Sequence, residues 1–100
     1  MRALMERLAR LVPARPAPPD PFATLALQGR LSRLAGELNE LDRDERAGYA
    51  RGHHLVAAIA AYERTLDEAC ALMGLDVPEG SGPAHRLMSE ASLMQAGWLW

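Results

Sequence analysis

"LQGRLSRLAGELNEL", residues 27–41, carries leucine at positions 27, 31, 34, 38 and 41. The intervals of 4, 3, 4 and 3 keep Leu27, Leu31, Leu34, Leu38 and Leu41 on one face of an α-helix, the spacing of a helix that packs lengthwise against a neighbour. A second seam of the same kind follows: Leu55, Ile59, Tyr62, Leu66, Ala69 and Met73. Two long helices with matching seams predict an antiparallel helical hairpin, residues 21–47 and 53–73.

The ends of these segments carry helix signals. Asp20 followed by Pro21 is a strong start, because the carboxylate accepts from free backbone donors and proline fits the first turn, where its missing N–H costs nothing. Between the seams, "AGYARGHH" at 47–54 reads as a turn: Gly48 can take the left-handed conformation that ends a helix, with Tyr49 folding back as the apolar residue after it. The competing geometry is a single rod, since the seam's phase runs through Glu45, Gly48 and Gly52 to Leu55 without a break. Each glycine in such a rod costs about 1 kcal/mol relative to alanine. The same glycine-then-apolar pattern recurs at Gly74–Leu75 and Gly97–Trp98, which supports helix ends and the hairpin.

After the loop "DVPEGSG", residues 76–82, a short C-terminal helix is expected from Ser81–Pro83, with Leu87, Ala91 and Met94 on one face. It leads into "AGWLW", 96–100, which holds both tryptophans of the chain. Trp98 falls where a terminating glycine calls for an apolar residue against the last turn, near Met94. Trp100 has no such local role. It is either a plug on a thin core or an anchor for a partner, a setting in which tryptophan is over-represented.

At the other end, "MRALMERLARLV", 1–12, reads as a short amphipathic helix: Leu4, Leu8 and Leu11 share a face, and Arg2, Glu6, Arg7 and Arg10 point away. Residues 13–20 follow as a proline-rich linker, extended and semi-rigid in expectation. The organisation is therefore an N-terminal helix at 1–12, a linker at 13–20, and one small domain over 21–100.

Composition agrees with an all-α class. The chain is 49% hydrophobic but only 5% aromatic, so its burial must come from Ala, Leu, Met and Val. One hundred residues bury only roughly 60 to 70% of the unfolded surface, which makes the core thin. Every basic residue is arginine, a bias expected of a GC-rich bacterial genome. Net charge is −2 and unevenly spread. Residues 1–36 hold six Arg against Glu6 and Asp20, a balance of +4, while 37–100 hold five Arg against eleven acids, a balance of −6. The two ends can attract each other or a second copy.

Candidates for chemistry are few. His53, His54 and His85 include no pair spaced i, i+4 for a metal, and no Glu-x-x-His pair of a di-metal bundle occurs, so no metal or cofactor is expected. Glu63 and Asp67, one turn apart, read as solvated charge on a helix face. "NELDRDE" lacks the central glycine of a calcium loop. No nucleophile elbow, phosphate loop or Cys–His arrangement is present, and the expectation is a protein that is not an enzyme. The single Cys70 points to a reducing, cytoplasmic setting, and the longest apolar run, "LVAAIAAY" at 55–62, is too short to span a bilayer.

Nucleic acid is not the expected partner, because the arginines of the first third lack interleaved aromatics and the rest of the chain would repel phosphates. The Trp-x-Gly turn of small secreted helical-hairpin proteins is missing, and the residues specify no family. The expectation that remains is a helical interaction or adaptor protein. It would bind a protein partner, or form a homo-oligomer, through its leucine seams, with Leu4, Leu8, Leu11, Trp98 and Trp100 as contacts. The alternative is weak attachment of residues 1–12 to an anionic membrane surface, and a regulator of nucleic-acid transactions ranks third.

Overall fold

The computed structural model describes residues 19–43, 48–77 and 79–100. They form three α-helices, α1 (Pro21–Arg43), α2 (Gly48–Met73) and α3 (Pro83–Gln95), with no strand among the described residues. The all-helical expectation holds. The segment 1–12 with Leu4, Leu8 and Leu11, most of the proline-rich linker, and the junction 44–47 lie outside the described residues.

α1 begins as its sequence demands. The Asp20 carboxylate accepts from the Phe22 N–H at 2.9 Å, its backbone carbonyl accepts from the Thr24 N–H at 3.0 Å, and Pro21 is the first helical residue. A cap of this kind contributes about 1 kcal/mol.

α2 corrects one expectation. Gly48 does not end a helix but opens one, the backbone of Tyr49 is helical, and Gly52 lies inside the helix instead of starting it. Alanine and arginine around the two glycines are strong helix formers and offset their cost. α1 and α2 are separate helices that pack against each other, so the single rod is ruled out.

The other two glycine signals behave as read. At the end of α2 the Leu75 N–H reaches the Cys70 carbonyl at 2.9 Å and the Gly74 N–H reaches Ala71 at 3.1 Å, with Gly74 at φ 67°. At the end of α3 the Trp98 N–H reaches Leu93 at 3.0 Å and the Gly97 N–H reaches Met94 at 3.0 Å, with Gly97 at φ 95°. Both are the paired closing bonds of a Schellman motif, and each turns an apolar residue back toward the helix it ends.

The core joins all three helices. Leu27, Leu31 and Leu34 of α1 meet Tyr62, Leu66, Ala69 and Cys70 of α2, and Leu93 and Trp98 close the cluster from α3 and its tail. Of the seam residues, Leu27, Leu31, Leu34, Tyr62 and Leu66 are buried, whereas Leu38, Leu41, Leu55 and Ile59 are half-buried. At 100° per residue the buried positions of α2 from Thr65 through Leu66 to Cys70 sweep an arc of about 140°, too wide for one neighbour. α1 covers one flank of that arc and α3 the other.

On α3 the face that carries Leu87, Ala91 and Met94 is exposed: Leu87 is 68% and Met94 57% accessible. The buried face is His85, Ser89 and Leu93. Two polar residues face inward with partners there: the Ser89 hydroxyl donates to the His85 carbonyl at 2.9 Å, and His85 Nε2 pairs with Asp67 at 3.0 Å.

Replacing Leu66, which has no accessible surface, by alanine is expected to cost about 2–5 kcal/mol of stability. Val56→Ala, at an exposed position of the same helix, should stay within about 0.5 kcal/mol. Chemical denaturation of the two variants checks both values.

Candidate interaction surfaces

Three places on the described chain bring unusual side chains together. The first is the junction of α2 and α3, which is tied by a series of polar contacts. Glu63 accepts from the Arg86 guanidinium at 3.2 Å and from the Gly82 N–H at 3.3 Å, and both charged side chains are largely shielded from water. One turn on, Asp67 takes His85. Next to Glu63 in the chain, the Tyr62 hydroxyl donates to Glu90 at 3.0 Å and accepts from the Trp100 indole N–H, also at 3.0 Å. Glu63 and Asp67, read from sequence as solvated charge, thus hold α3 in place.

The terminal tryptophans belong to this junction. Trp98 is 3% exposed and sits in the core cluster, while Trp100 packs half-buried against it. Trp98 lies with Leu93 rather than with Met94, because the Schellman turn returns its backbone to Leu93 and Met94 points outward. Leu99, between them, is 83% exposed. Burial pushes the Tyr62 hydroxyl up to about 12 from 10.0, with the Trp100 hydrogen bond pulling it down and the Glu90 charge raising it further.

Cys70 lies under the same junction, buried, with its thiol 4.0 Å from the Ser89 carbonyl. Burial and then the Asp67 charge push its pKa upward, so the thiol keeps its proton and is a poor nucleophile. Beside it, Asp67, Leu75, Val77, Glu79 and His85 line an open recess of about 380 Å³. Among the described residues no group of three His, Cys, Asp or Glu side chains could hold a metal ion. No described helix is long and apolar enough to cross a membrane.

The second place is a cleft of about 260 Å³ between α1 and α2. Leu34 forms one wall, Ala57, Ala58 and Ala61 form the floor, and Glu37 and His54 stand at the rim. Its shape comes from Ala57, Ala58 and Ala61: small side chains leave the space between two packed helices unfilled. His53 and His54, adjacent in sequence, are both exposed near the start of α2. The seam reading located this region, and the alanine run was the available signal for the cleft itself.

The third place is the outward face of α3, where Ala84, Leu87, Met88, Ala91 and Met94 are all exposed. Sequence reading placed Leu87, Ala91 and Met94 on one face of this helix.

Compared with known proteins, the chain matches no family model, no curated protein and no solved structure. The functional reading therefore stands on the surfaces themselves.

Two outcomes follow from the junction. A chain ending at Gly97 loses the buried Trp98, a loss on the order of 3–5 kcal/mol, and should show a sharply lower thermal midpoint. In alkali, the unfolded chain releases the tyrosine proton near pH 10 while folded Tyr62 holds it to about 12. The folded state therefore binds more protons across that window, so the Tyr62 contribution to stability is complete below pH 10 and is lost as pH rises through 12, by on the order of 2–3 kcal/mol. Denaturant titrations across this range should show the decline in the wild type and a flatter profile in Tyr62→Phe.

Proposed function

We propose that this chain is a small, non-enzymatic interaction protein whose antiparallel helical hairpin accepts an amphipathic helix of a protein partner. The supporting observation is the cleft between α1 and α2. Its alanine floor and leucine wall suit the apolar knobs of an incoming helix, which would be read at i, i+3, i+4 and i+7 positions. The hairpin sense is supported by the pairing of positions: Arg30 meets Glu68 at 3.0 Å, while Leu34 and Glu37, further along α1, share the cleft with Ala58 and His54, further back along α2.

The half-buried ends of both seams, Leu38, Leu41, Leu55 and Ile59, continue from the cleft and give an incoming helix apolar surface to cover. In this reading Trp98 and Trp100 work inward, holding α3 against α2, and the partner meets the hairpin rather than the tryptophans. A non-catalytic role fits the one cysteine being buried with a raised pKa.

Ala57 is exposed at the cleft, so Ala57→Arg fills it with a long side chain while leaving the core untouched. With an unchanged circular dichroism spectrum, this variant should retain at least about tenfold less partner than the wild-type chain in affinity capture, a difference of about 1.4 kcal/mol. If both baits retain the same proteins equally, the cleft is not the binding surface and the reading fails.

A further inference from the structure

The hairpin is covered unevenly along its length. Polar contacts from α3, the turn before it and the tail fall on Tyr62, Glu63, Asp67 and Cys70, in the later half of α2. Leu93 and Trp98 join the core on that half, in one cluster with Leu66 and Ala69. On the other half, Leu38 and Leu41 of α1 and Leu55 and Ile59 of α2 stay half-buried, continuing from the cleft that Leu34 and Ala57 line.

We infer that residues 1–12 of the same chain cover this half, with Leu4, Leu8 and Leu11 set into the cleft and onto the seam ends. Three observations select this occupant. The first is spacing: the three leucines stand at i, i+4 and i+7, the apolar repeat that a groove between two helices accepts. The second is reach. As an extended spacer the eight residues 13–20 cover about 25 Å, while the rise of α1 from Pro21 sets Leu34 about 20 Å and Leu38 about 25 Å along the hairpin. The spacer therefore brings Val12 level with the cleft, and the twelve residues before it, about 18 Å long as a helix, are enough for the seam ends beyond.

The third observation is charge. α1 changes sign at Leu34: Arg30 and Arg33 precede it, and Glu37, Glu40, Asp42 and Arg43 follow it with a balance of −2. Adding Arg51 of α2 leaves this half of the hairpin at −1, against +2 for residues 1–12, where Arg2, Arg7 and Arg10 stand against Glu6. The outward side of α3 offers those arginines no such match, since the one acid of that helix, Glu90, is bonded to Tyr62. A short tether also keeps the segment at an effective concentration on the order of millimolar, so a weak contact is enough to hold it. The docking needs no outside partner; its consequence, that an incoming helix must displace residues 1–12, rests on the function proposed above.

On a helix Ala9 lies away from the three leucines, and Cys70 is buried with its proton held, so in Ala9→Cys only the introduced thiol takes a nitroxide label. In the labelled full chain the amide NMR signals of Leu38, Leu55 and Ile59 should broaden more than those of Leu87 and Met94. Either Ala57→Arg or Leu4→Asp combined with Leu8→Asp should restore them. The broadening should persist on dilution and should be absent when the NMR-observed chain carries no nitroxide and is mixed with a labelled one.

Uniform signals along the chain overturn the docking, as does broadening that survives both sets of substitutions. Broadening centred on Leu87 and Met94 overturns it in favour of α3, and broadening in the mixed sample overturns it in favour of a second copy. Partner capture lost in Ala57→Arg without any broadening sinks the docking and leaves the proposed function standing. Broadening at the cleft with capture indifferent to Ala57→Arg does the reverse.

Discussion

Everything in this fold depends on α2 being buried along two flanks at once. A helix with a single leucine seam needs one neighbour, but the apolar arc of α2, from Ala58 and Thr65 through Leu66 to Cys70, is too broad for that. α1 supplies Leu27, Leu31 and Leu34 to one flank; α3 and the tail supply Leu93 and Trp98 to the other. Leu66, Ala69 and Leu93 have no exposed surface, so the centre of the molecule is where the three contributions meet. Away from that point the cover thins, and Leu38, Leu55 and Ile59 are only half-buried.

The second flank is held as much by polar geometry as by apolar area. Adjacent Tyr62 and Glu63, and Asp67 one turn after them, line one side of α2, and each takes a partner from α3 or next to it: Glu90 and Trp100, Arg86 and Gly82, and His85. Exposed ion pairs such as Arg30–Glu68 contribute little. The Glu63–Arg86 pair is different, because both side chains are mostly shielded and leaving either alone would strand a charge away from water. Once these directional contacts fix the rotation of α3, its apolar stripe has no choice but to face outward. The exposed stripe follows from how α3 docks.

Much of the architecture was legible from local rules. The leucine intervals identified the buried positions of α1, the Asp20–Pro21 pair located its start to the residue, and the glycine-then-apolar pairs at Gly74 and Gly97 marked two helix ends that close as Schellman motifs. The same rule misled at Gly48. A glycine before an aromatic residue is compatible with a helix end but does not require one, and here the surrounding alanine and arginine carry the backbone on as helix. On α3 the apolar pattern identified a real stripe but not its environment, since hydrophobic periodicity says which residues share a face but not which face the neighbours take.

The sequence by itself determined the class, the position of α1, the two Schellman ends and the heptad seams, because each depends on residues within a turn or two of one another. Tertiary structure alone decided the rest: that α2 begins at Gly48, that Trp98 fills the core beside Leu93 while Trp100 bonds to Tyr62, and that His85 and Ser89 turn inward in place of Leu87 and Met94. The physical reason is the range of the interactions. Tyr62 and Trp100 are 38 residues apart, and Asp67 and His85 are 18 apart. The inward turn of His85 depends on a distant partner, Asp67, and no local pattern carries that information.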